Sequence, residues 1–341
     1  MNFKKFITYL ILFNLVSLIV VIFLFMFNPK LFYFRSWEFF DDFVYKGLKS
    51  KTHTFEETGD LSRGYLFQKY SKKNKISVND LGNRLACFNN MNQNSTLMLG
   101  SSALFGSYIS DEETLPKLLC KNYPEISFYN GSRIHEMNLL KIKEFKFDTI
   151  IFTAAEFEGF DKYCRVLDKF KKDPTILSSN YLKIKNMKYN WNNKDLFKRP
   201  IKYLSFKLNV MLDTSKTFLS PNEHIYLNRS LQQKEEKEIN CIKRLNNYFK
   251  NQKFKTIFLY FPEKRTIIPN TGIKEESHEN KSYISSISSK LFENNINYLD
   301  TVQCLNKSKH HNKNIFYFHD THMTPYGIKE LSKCFVKKNF F

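Results

Sequence analysis

The sequence has 341 residues, of which 53 are basic and 33 acidic, so its formal net charge is +20. This length suits one α/β domain with insertions better than two large domains. Runs of Lys and Arg are short and no nucleic-acid-binding motif is present, so no nucleic-acid partner is expected. The charge favours anionic lipid headgroups or glycans, although the abundance of Lys, Asn, Phe and Ile also fits a compositional bias of the whole proteome.

The beginning of the chain predicts a membrane anchor. Residues 6–27 are apolar and uncharged, and this length can cross the hydrocarbon core of a bilayer. A cleaved signal peptide has a shorter apolar region and small residues at its cleavage site, whereas bulky residues and Pro29 follow here. We therefore predict that residues 1–29 form a cytoplasmic tail and an uncleaved signal anchor. The rest of the chain is expected outside the cytoplasm, although basic residues flank both ends of the span.

Six cysteines are spread along the chain. An even number permits disulfides outside the cytoplasm but specifies no pairing. None of the cysteines has the CxxC spacing of a structural zinc site, so we expect no zinc there. They are Cys87, Cys120, Cys164, Cys241, Cys304 and Cys334.

The remainder of the chain divides into two regions. Residues 30–93 lack sustained periodicity and predict a stalk and an irregular surface segment. In residues 94–341, short apolar runs alternate with amphipathic stretches, which is typical of βαβ units around a mostly parallel sheet. The interval at about 154–235 breaks this rhythm and predicts an insertion beside the active face, a candidate cap over the site. The predicted strands cover residues 96–99, 126–129, 149–153, 256–261 and 296–299, and the predicted helices include one after a capping box at 110–113 and a last one from near 325.

Residues 97–106, LMLGSSALFG, give the strongest local signal of chemistry. They read as an apolar strand followed by Gly-Ser-Ser and a helix. At the carboxyl edge of a parallel strand, a hydroxyl projects into the crevice where open α/β sheets bind ligands, and nearby backbone N–H groups can hold an oxyanion. Ser101 and Ser102 are therefore candidate nucleophiles, and a plain turn after the strand is the alternative.

A second segment, FYFHDTHMTPYG at residues 316–327, supplies the groups that a serine nucleophile requires. A base must remove the hydroxyl proton, and a carboxylate must hold the imidazole in the right tautomer. Asp320 and His322 are candidates for these roles. Two alternatives are a helix cap at Asp320 with a surface histidine, and a metal site formed by His310, His311, His319 and His322.

The two segments resemble the first and last blocks of the SGNH (GDSL-like) hydrolases. In that family Gly-x-Ser precedes a small residue and Phe-Gly, so counting back from residues 105–106 places the nucleophile at Ser102. The Asp-x-His spacing at 320–322, followed by Thr-Pro-x-Gly, resembles the branch linked to O-acetylation of extracellular polysaccharides, an alginate acetylation-like group. Phe-Pro-Glu-Lys at 261–264 and Asn-Asp-Leu-Gly-Asn-Arg at 79–84 are similar to motifs of that branch.

This resemblance implies a fold and a set of site residues. The expected fold is a three-layer α/β/α, flavodoxin-like domain with a mostly parallel sheet, preceded by one transmembrane helix. Ser102, His322 and Asp320 are the implied catalytic triad, and the backbone N–H groups of Ser102 and Gly131 are the implied oxyanion donors. No metal or organic cofactor is implied.

The third block departs from the family pattern. SGNH enzymes place Gly-x-Asn after the third strand, and the asparagine amide donates to the oxyanion, whereas this chain has Ala-Ala-Glu at 154–156. A carboxylate at Glu156 would repel an oxyanion, so it must point away, be protonated or serve another purpose. Asn130 is a candidate substitute donor.

The resemblance implies a membrane-anchored serine esterase or O-acyl (acetyl) transferase that acts on an ester of an extracytoplasmic glycan. A membrane acyltransferase is a candidate partner. Because the third oxyanion donor is missing, a catalytically weak or inactive binding or assembly protein for polysaccharide modification is one alternative. A lipid esterase is another, favoured by the anchor and the aromatic-rich insertion.

Overall fold

A five-stranded parallel sheet forms the centre of the protein. Its strands are β5 (Ser95–Leu99), β6 (Ser127–Gly131), β7 (Thr149–Ala155), β8 (Lys255–Phe261) and β9 (Asn297–Leu299). Four shorter or outlying strands precede them in the chain and are described below. The computed structural model describes residues 3–33, 35–43, 51–57, 59–60, 65–66, 73–78, 83–87, 95–132, 140, 146–172, 193–212, 235–267, 283–306, 315–317 and 322–341.

The strand order confirms the predicted fold class. It is β6-β5-β7-β8-β9, which is the flavodoxin-like order in which the second strand lies outside the first. The sequence predicted all five strands, because each is a short and almost entirely buried run of the kind that parallel sheets covered on both faces require. From β5 the chain adds β6 on one side and then β7, β8 and β9 on the other. The gap between β5 and β7 is thus a topological switch point, where open α/β sheets bind ligands.

Helices cover the sheet on both faces. The connection from β5 to β6 runs in one direction across the sheet and those from β7 to β8 and β9 run in the other, so right-handed crossovers put their helices on opposite faces. The helices from α3 onward are α3 (Ser102–Phe105), α4 (Leu115–Asn122), α5 (Asp161–Lys172), α6 (Asn193–Leu212), α7 (Glu235–Lys250), α8 (Lys264–Ile267), α9 (Tyr283–Glu293), α10 (Thr301–Asn306) and α11 (Pro325–Lys338). On one side α4 packs against α11, and on the other α7 packs against α5 and α9.

The predicted insertion at about 154–235 contains part of the core. Helix α5 lies within this interval, and its Tyr163 and Leu167 side chains are fully buried in the cluster that the sheet forms. The interval breaks the sequence rhythm because α5 is strongly charged on its outer side, with Asp161, Arg165 and Asp168 in exposed ion pairs. The part of the interval up to the end of α5 therefore contributes to the core of the domain.

All six cysteines are paired. The disulfide Cys87–Cys120 joins the segment before β5 to α4, whereas Cys164–Cys241 joins α5 to α7 and Cys304–Cys334 joins α10 to α11. Disulfides persist in oxidising compartments. Together with the apolar N-terminal helix, they indicate an extracytoplasmic protein.

The N-terminal helix α1 (Phe3–Phe27) is long and apolar enough to cross a membrane. Among its side chains only Phe25 is buried. A signal sequence meets the same criteria of length and composition. Near its C-terminal end the helix packs on the protein, because the Phe25 side chain there is only 1% exposed.

Residues 30–93, predicted as a stalk and irregular surface segment, contain ordered elements that pack on the domain. They include α2 (Ser36–Phe43), the antiparallel pair β1 (Lys51–Glu56) and β4 (Lys73–Val78), and the pair β2 (Gly59–Asp60) and β3 (Tyr65–Leu66). A second buried cluster, here called the anchor-base cluster, joins these elements to α1 and α3. It consists of Phe25, Phe32, Tyr33, Phe39, Phe40, Phe55, Ile76, Val78 and Phe105.

Candidate active site

The structure brings Ser102 and His322 together across 220 positions of sequence. The Oγ atom of Ser102 lies 2.8 Å from Nε2 of His322, which is hydrogen-bond distance for a nucleophile and its base. Ser102 is the first residue of α3, directly beyond the carboxyl end of β5. Asp320, the predicted acid, lies outside the described residues, so its role stays a prediction.

The turn from β5 into α3 depends on Gly100. A Cβ atom on this residue would lie 2.4 Å from both the Cβ of Leu104 and the Oγ1 of Thr153, a separation that real side chains do not adopt. Gly100 also donates its N–H to the carbonyl of Gly131 at 3.1 Å. The glycine therefore lets the chain turn tightly enough to place Ser102 beside the end of the neighbouring strand β6.

A short antiparallel contact holds His322. The backbone N–H of Tyr317 donates to the His322 carbonyl at 3.2 Å, and Thr324 donates to Ile315 at 2.8 Å. The Tyr108 ring packs 5.6 Å from the His322 ring, and the Tyr317 hydroxyl donates to the Tyr108 carbonyl at 2.9 Å. These contacts fix the imidazole from its backbone and from one face of its ring.

Tyr108 has an unusual backbone conformation, with φ of +68°. A bulky residue in the left-handed region is strained, and such strain persists only where the surrounding structure imposes it. Here the imposing contacts are the ring packing against His322 and Tyr317. The strained residue is thus part of the support of the candidate base.

Arg84 clamps the loop that follows α3. Its guanidinium is fully buried and donates to the carbonyls of Phe105 at 2.7 Å, Gly106 at 2.6 Å and Ile109 at 2.6 Å. Its Nε donates to the Asp111 carboxylate at 2.9 Å. One side chain therefore satisfies three backbone carbonyls next to Ser102, a role that the motif at residues 79–84 did not reveal.

Two buried ionisable groups, Arg84 and Glu57, influence each other's pKa. Burial lowers the pKa of the Arg84 guanidinium, and the charge of Asp111 opposes this shift. Burial raises the pKa of the Glu57 carboxyl, and hydrogen bonds from Ser36 and the charges of His322 and Arg84 oppose it. Glu57 is therefore a buried carboxyl whose pKa responds to the charges of Arg84 and the candidate base.

Part of the chain is similar to a known protein family. Residues 217–330 match the family described as "SGNH hydrolase-like domain, acetyltransferase AlgX". The matched range contains β8, β9 and His322, and it does not include Ser102. No curated protein sequence matches the chain.

Two solved structures of GDSL-type proteins are similar to the chain. One is a G-D-S-L family protein from Desulfitobacterium hafniense DCB-2, which is 13% identical with a TM-score of 0.37, over 72% of this chain and 99% of that one. The other is a GDSL-like lipase from Bacteroides thetaiotaomicron VPI-5482, which is 12% identical with a TM-score of 0.32, over 72% of this chain and 88% of that one.

Glu156, which occupies the third-block position of the SGNH pattern, has a structural role. It is fully buried, and its Oε2 accepts from the backbone N–H of Glu263 at 2.7 Å and from the Thr266 hydroxyl at 2.8 Å. These bonds tie the end of β7 to the start of α8. The carboxylate thus serves another purpose, one of the three outcomes expected for it.

Asn130, the candidate substitute for the missing donor, is also engaged. Its side chain is 1% exposed, and its amide donates to the carbonyl of Leu104 at 3.4 Å. Gly131, the last residue of β6, pairs with Leu99. Its carbonyl accepts the Gly100 N–H, and its role as an oxyanion donor stays a prediction.

A small pocket opens beside His322. Ser107, Ile109, Pro262 and Ile328 contribute to its walls, so the Phe-Pro-Glu-Lys motif at residues 261–264 reaches the site. Among the described residues, no group of three His, Cys, Asp or Glu side chains could hold a metal ion. His310, His311 and His319 lie outside the described residues, so the metal-site alternative stays untested.

Gly327→Ala is expected to lower kcat by about 10²-fold, because small displacements of catalytic groups are costly. Thr324 caps α11 by accepting from the Gly327 N–H at 3.2 Å. A Cβ on Gly327 would lie 2.3 Å from the Ile315 carbonyl, the group that anchors the strand containing His322. Steady-state kinetics on an acetyl ester would measure the loss.

Lys329→Ala is the matched control on the same helix, since Lys329 is exposed. It should leave kcat unchanged. Equal rates for the wild type and Gly327→Ala would show that the position of His322 does not depend on the close approach of α11.

Proposed function

We propose that the protein is a serine esterase or O-acetyl transferase that acts on acyl esters of an extracytoplasmic glycan. The observation that carries this proposal is the 2.8 Å contact between the Ser102 hydroxyl and Nε2 of His322. It is supported by the AlgX-type domain, whose family description names an acetyltransferase.

In the proposed reaction, Oγ of Ser102 attacks the carbonyl carbon of the ester while His322 accepts the hydroxyl proton on Nε2. The tetrahedral intermediate collapses, the carbon–oxygen bond to the leaving alcohol breaks, and His322 returns the proton to that alcohol. The product is an acyl-enzyme on Ser102. Asp320 is proposed to hold the imidazole from its other nitrogen.

The negative charge of the intermediate is proposed to rest on the backbone N–H groups of Ser102 and Gly131. Ser102 is the first residue of α3, and the first N–H groups of a helix have no acceptor within it. Because Glu156 and Asn130 are engaged elsewhere, the side-chain amide of the family pattern has no replacement at these two positions. Loss of one such donor lowers kcat by roughly 10²- to 10³-fold, so slow turnover is expected.

The surroundings of the site indicate the size of the acyl group. A small, mostly apolar pocket beside His322, to which Ser107 adds a hydroxyl, suits an acetyl group. Either water or a sugar hydroxyl can attack the acyl-enzyme, which gives hydrolysis or transfer. For transfer, a membrane acyltransferase is the candidate source of acetyl groups, since α1 is long and apolar enough to hold the domain at a membrane.

The contact between Ser102 and His322 also argues against a non-catalytic protein that keeps the fold but has lost the active site. A binding protein has no need to keep a serine and a histidine at hydrogen-bond distance, or a strained Tyr108 behind the imidazole. Missing one oxyanion donor weakens an enzyme without removing its covalent chemistry.

The test is labelling of the full-length protein with a fluorophosphonate, followed by mass spectrometry of the labelled peptide. We expect one adduct, on Ser102, and faster turnover of acetyl esters than of long-chain esters. An unlabelled wild-type protein would remove the enzyme proposal. A preference for long-chain esters would favour the lipid esterase instead.

A further inference from the structure

Helix α6 has apolar side chains on two opposite faces. Phe206 is 8% exposed and belongs to the buried set, and Tyr203 is partly buried against the anchor-base cluster. On the other face Ile201, Leu204 and Leu208 are 52%, 43% and 55% exposed. With 3.6 residues per turn these three lie within about 60° of one another. A helix on a water-exposed surface normally has a polar outer face.

The inner face of α6 packs where α1 ends. Helix α6 contacts both α1 and the following 3-10 turn Pro29–Phe32. The Tyr203 ring packs 5.2 Å from that of Phe32, and Arg199 donates to the Phe32 carbonyl at 3.2 Å while stacking 4.0 Å from the Tyr33 ring. Helix α6 is therefore next to the membrane-length helix, with the exposed apolar stripe on its outer face.

We propose that α6 is an interfacial helix that inserts Ile201, Leu204 and Leu208 among the lipids of the bilayer that α1 spans. The stripe lies on a helix that packs against α1, and among the side chains of α1 only Phe25 is buried. Half-buried Lys207 lies about 60° from Leu204 around the helix, and a cation at the rim of an apolar face suits anionic headgroups. A lipid surface matches both features, whereas a water-facing position leaves the stripe unpaired.

The inference carries two consequences for the domain. Because α6 and Phe25 are both packed at the base of α1, α1 belongs to the folded protein and holds α6 at the bilayer. The anchor-base cluster also contains Phe105, the last residue of α3. Ser102 begins that four-residue helix, so the candidate nucleophile and a residue of the anchor-base cluster lie on the same short helix.

The experiment uses single cysteines in the full-length protein. All six natural cysteines are in disulfides, so Leu204→Cys or Leu208→Cys supplies the one free thiol for an environment-sensitive fluorophore. Each labelled protein is reconstituted in vesicles of phosphatidylcholine and phosphatidylglycerol. Fluorescence is then quenched either by a nitroxide on the lipid chains or by aqueous iodide.

Phe292→Cys is the matched control, because Phe292 is an 80% exposed apolar residue on α9. We expect quenching by the lipid nitroxide to be at least about threefold stronger at positions 204 and 208 than at 292, and quenching by iodide to be weaker, because interfacial helices bury their apolar face among acyl chains. Equal lipid quenching at all three positions overturns the proposal. Protection of 204 and 208 from both quenchers also overturns it, because a protein surface would then cover the stripe. Labelling of Ser102 is measured separately, so the two proposals fail independently.

Discussion

Ser102→Ala is expected to lower acetyl-ester turnover by about 10⁴-fold or more and to abolish fluorophosphonate labelling. The hydroxyl of Ser102 is the group that His322 contacts at 2.8 Å. Removing the nucleophile of a serine triad leaves only the contribution of binding and the oxyanion site, and losses in such enzymes reach roughly 10⁶-fold. Initial rates with an acetyl ester and gel fluorescence of the labelled protein measure both effects.

Ser101→Ala is the matched control, since Ser101 precedes the helix and was the other candidate nucleophile. It should retain turnover within about threefold of the wild type, because most substitutions that spare the reacting groups have small effects. Labelling that survives Ser102→Ala and disappears in Ser101→Ala would move the nucleophile by one residue.

Arg84→Met is expected to lower the free energy of unfolding by about 3–5 kcal/mol, the usual cost of breaking a buried charged network. The substitution leaves the carbonyls of Phe105, Gly106 and Ile109 without their donor, and it leaves Asp111 without its cation. Denaturant unfolding of the full-length protein in detergent measures the change. Activity should fall too, because the released loop follows the helix that carries Ser102.

Arg244→Met provides the comparison. Arg244 pairs with Asp168 on the surface, where the two side chains are 48% and 49% exposed. Exposed ion pairs contribute about 0–1 kcal/mol, so this variant should unfold close to the wild type. A similar small loss for Arg84→Met would mean that water or other groups replace the guanidinium.

The features that the sequence predicted are those with a local signature. The five strands are short apolar runs, and Ser102 and His322 stand in motifs at known places relative to strands and helices. Order along the chain then places the carboxyl ends of β5 and its neighbours at one edge. Proximity of the two residues follows from that topology, whereas the role of Asp320 is still a prediction.

The features that were missed depend on contacts between distant residues. Strand β4 alternates between exposed and buried positions, but one buried position is Asn74, so its apolar alternation is incomplete. Arg84 donates to backbone carbonyls more than twenty positions away. Since every residue has a backbone carbonyl, the sequence does not show which of them accept from Arg84. Glu156 likewise bonds to residues 107 and 110 positions further on.

The order of the disulfides bears on how the protein matures. Each cysteine is joined to the next one along the chain, first with second, third with fourth and fifth with sixth, so no pair encloses or crosses another. An oxidant that joins thiols in the order in which they emerge from the translocation channel therefore produces the native set directly. Slow exchange between wrong and right pairs is not required when oxidation follows this order.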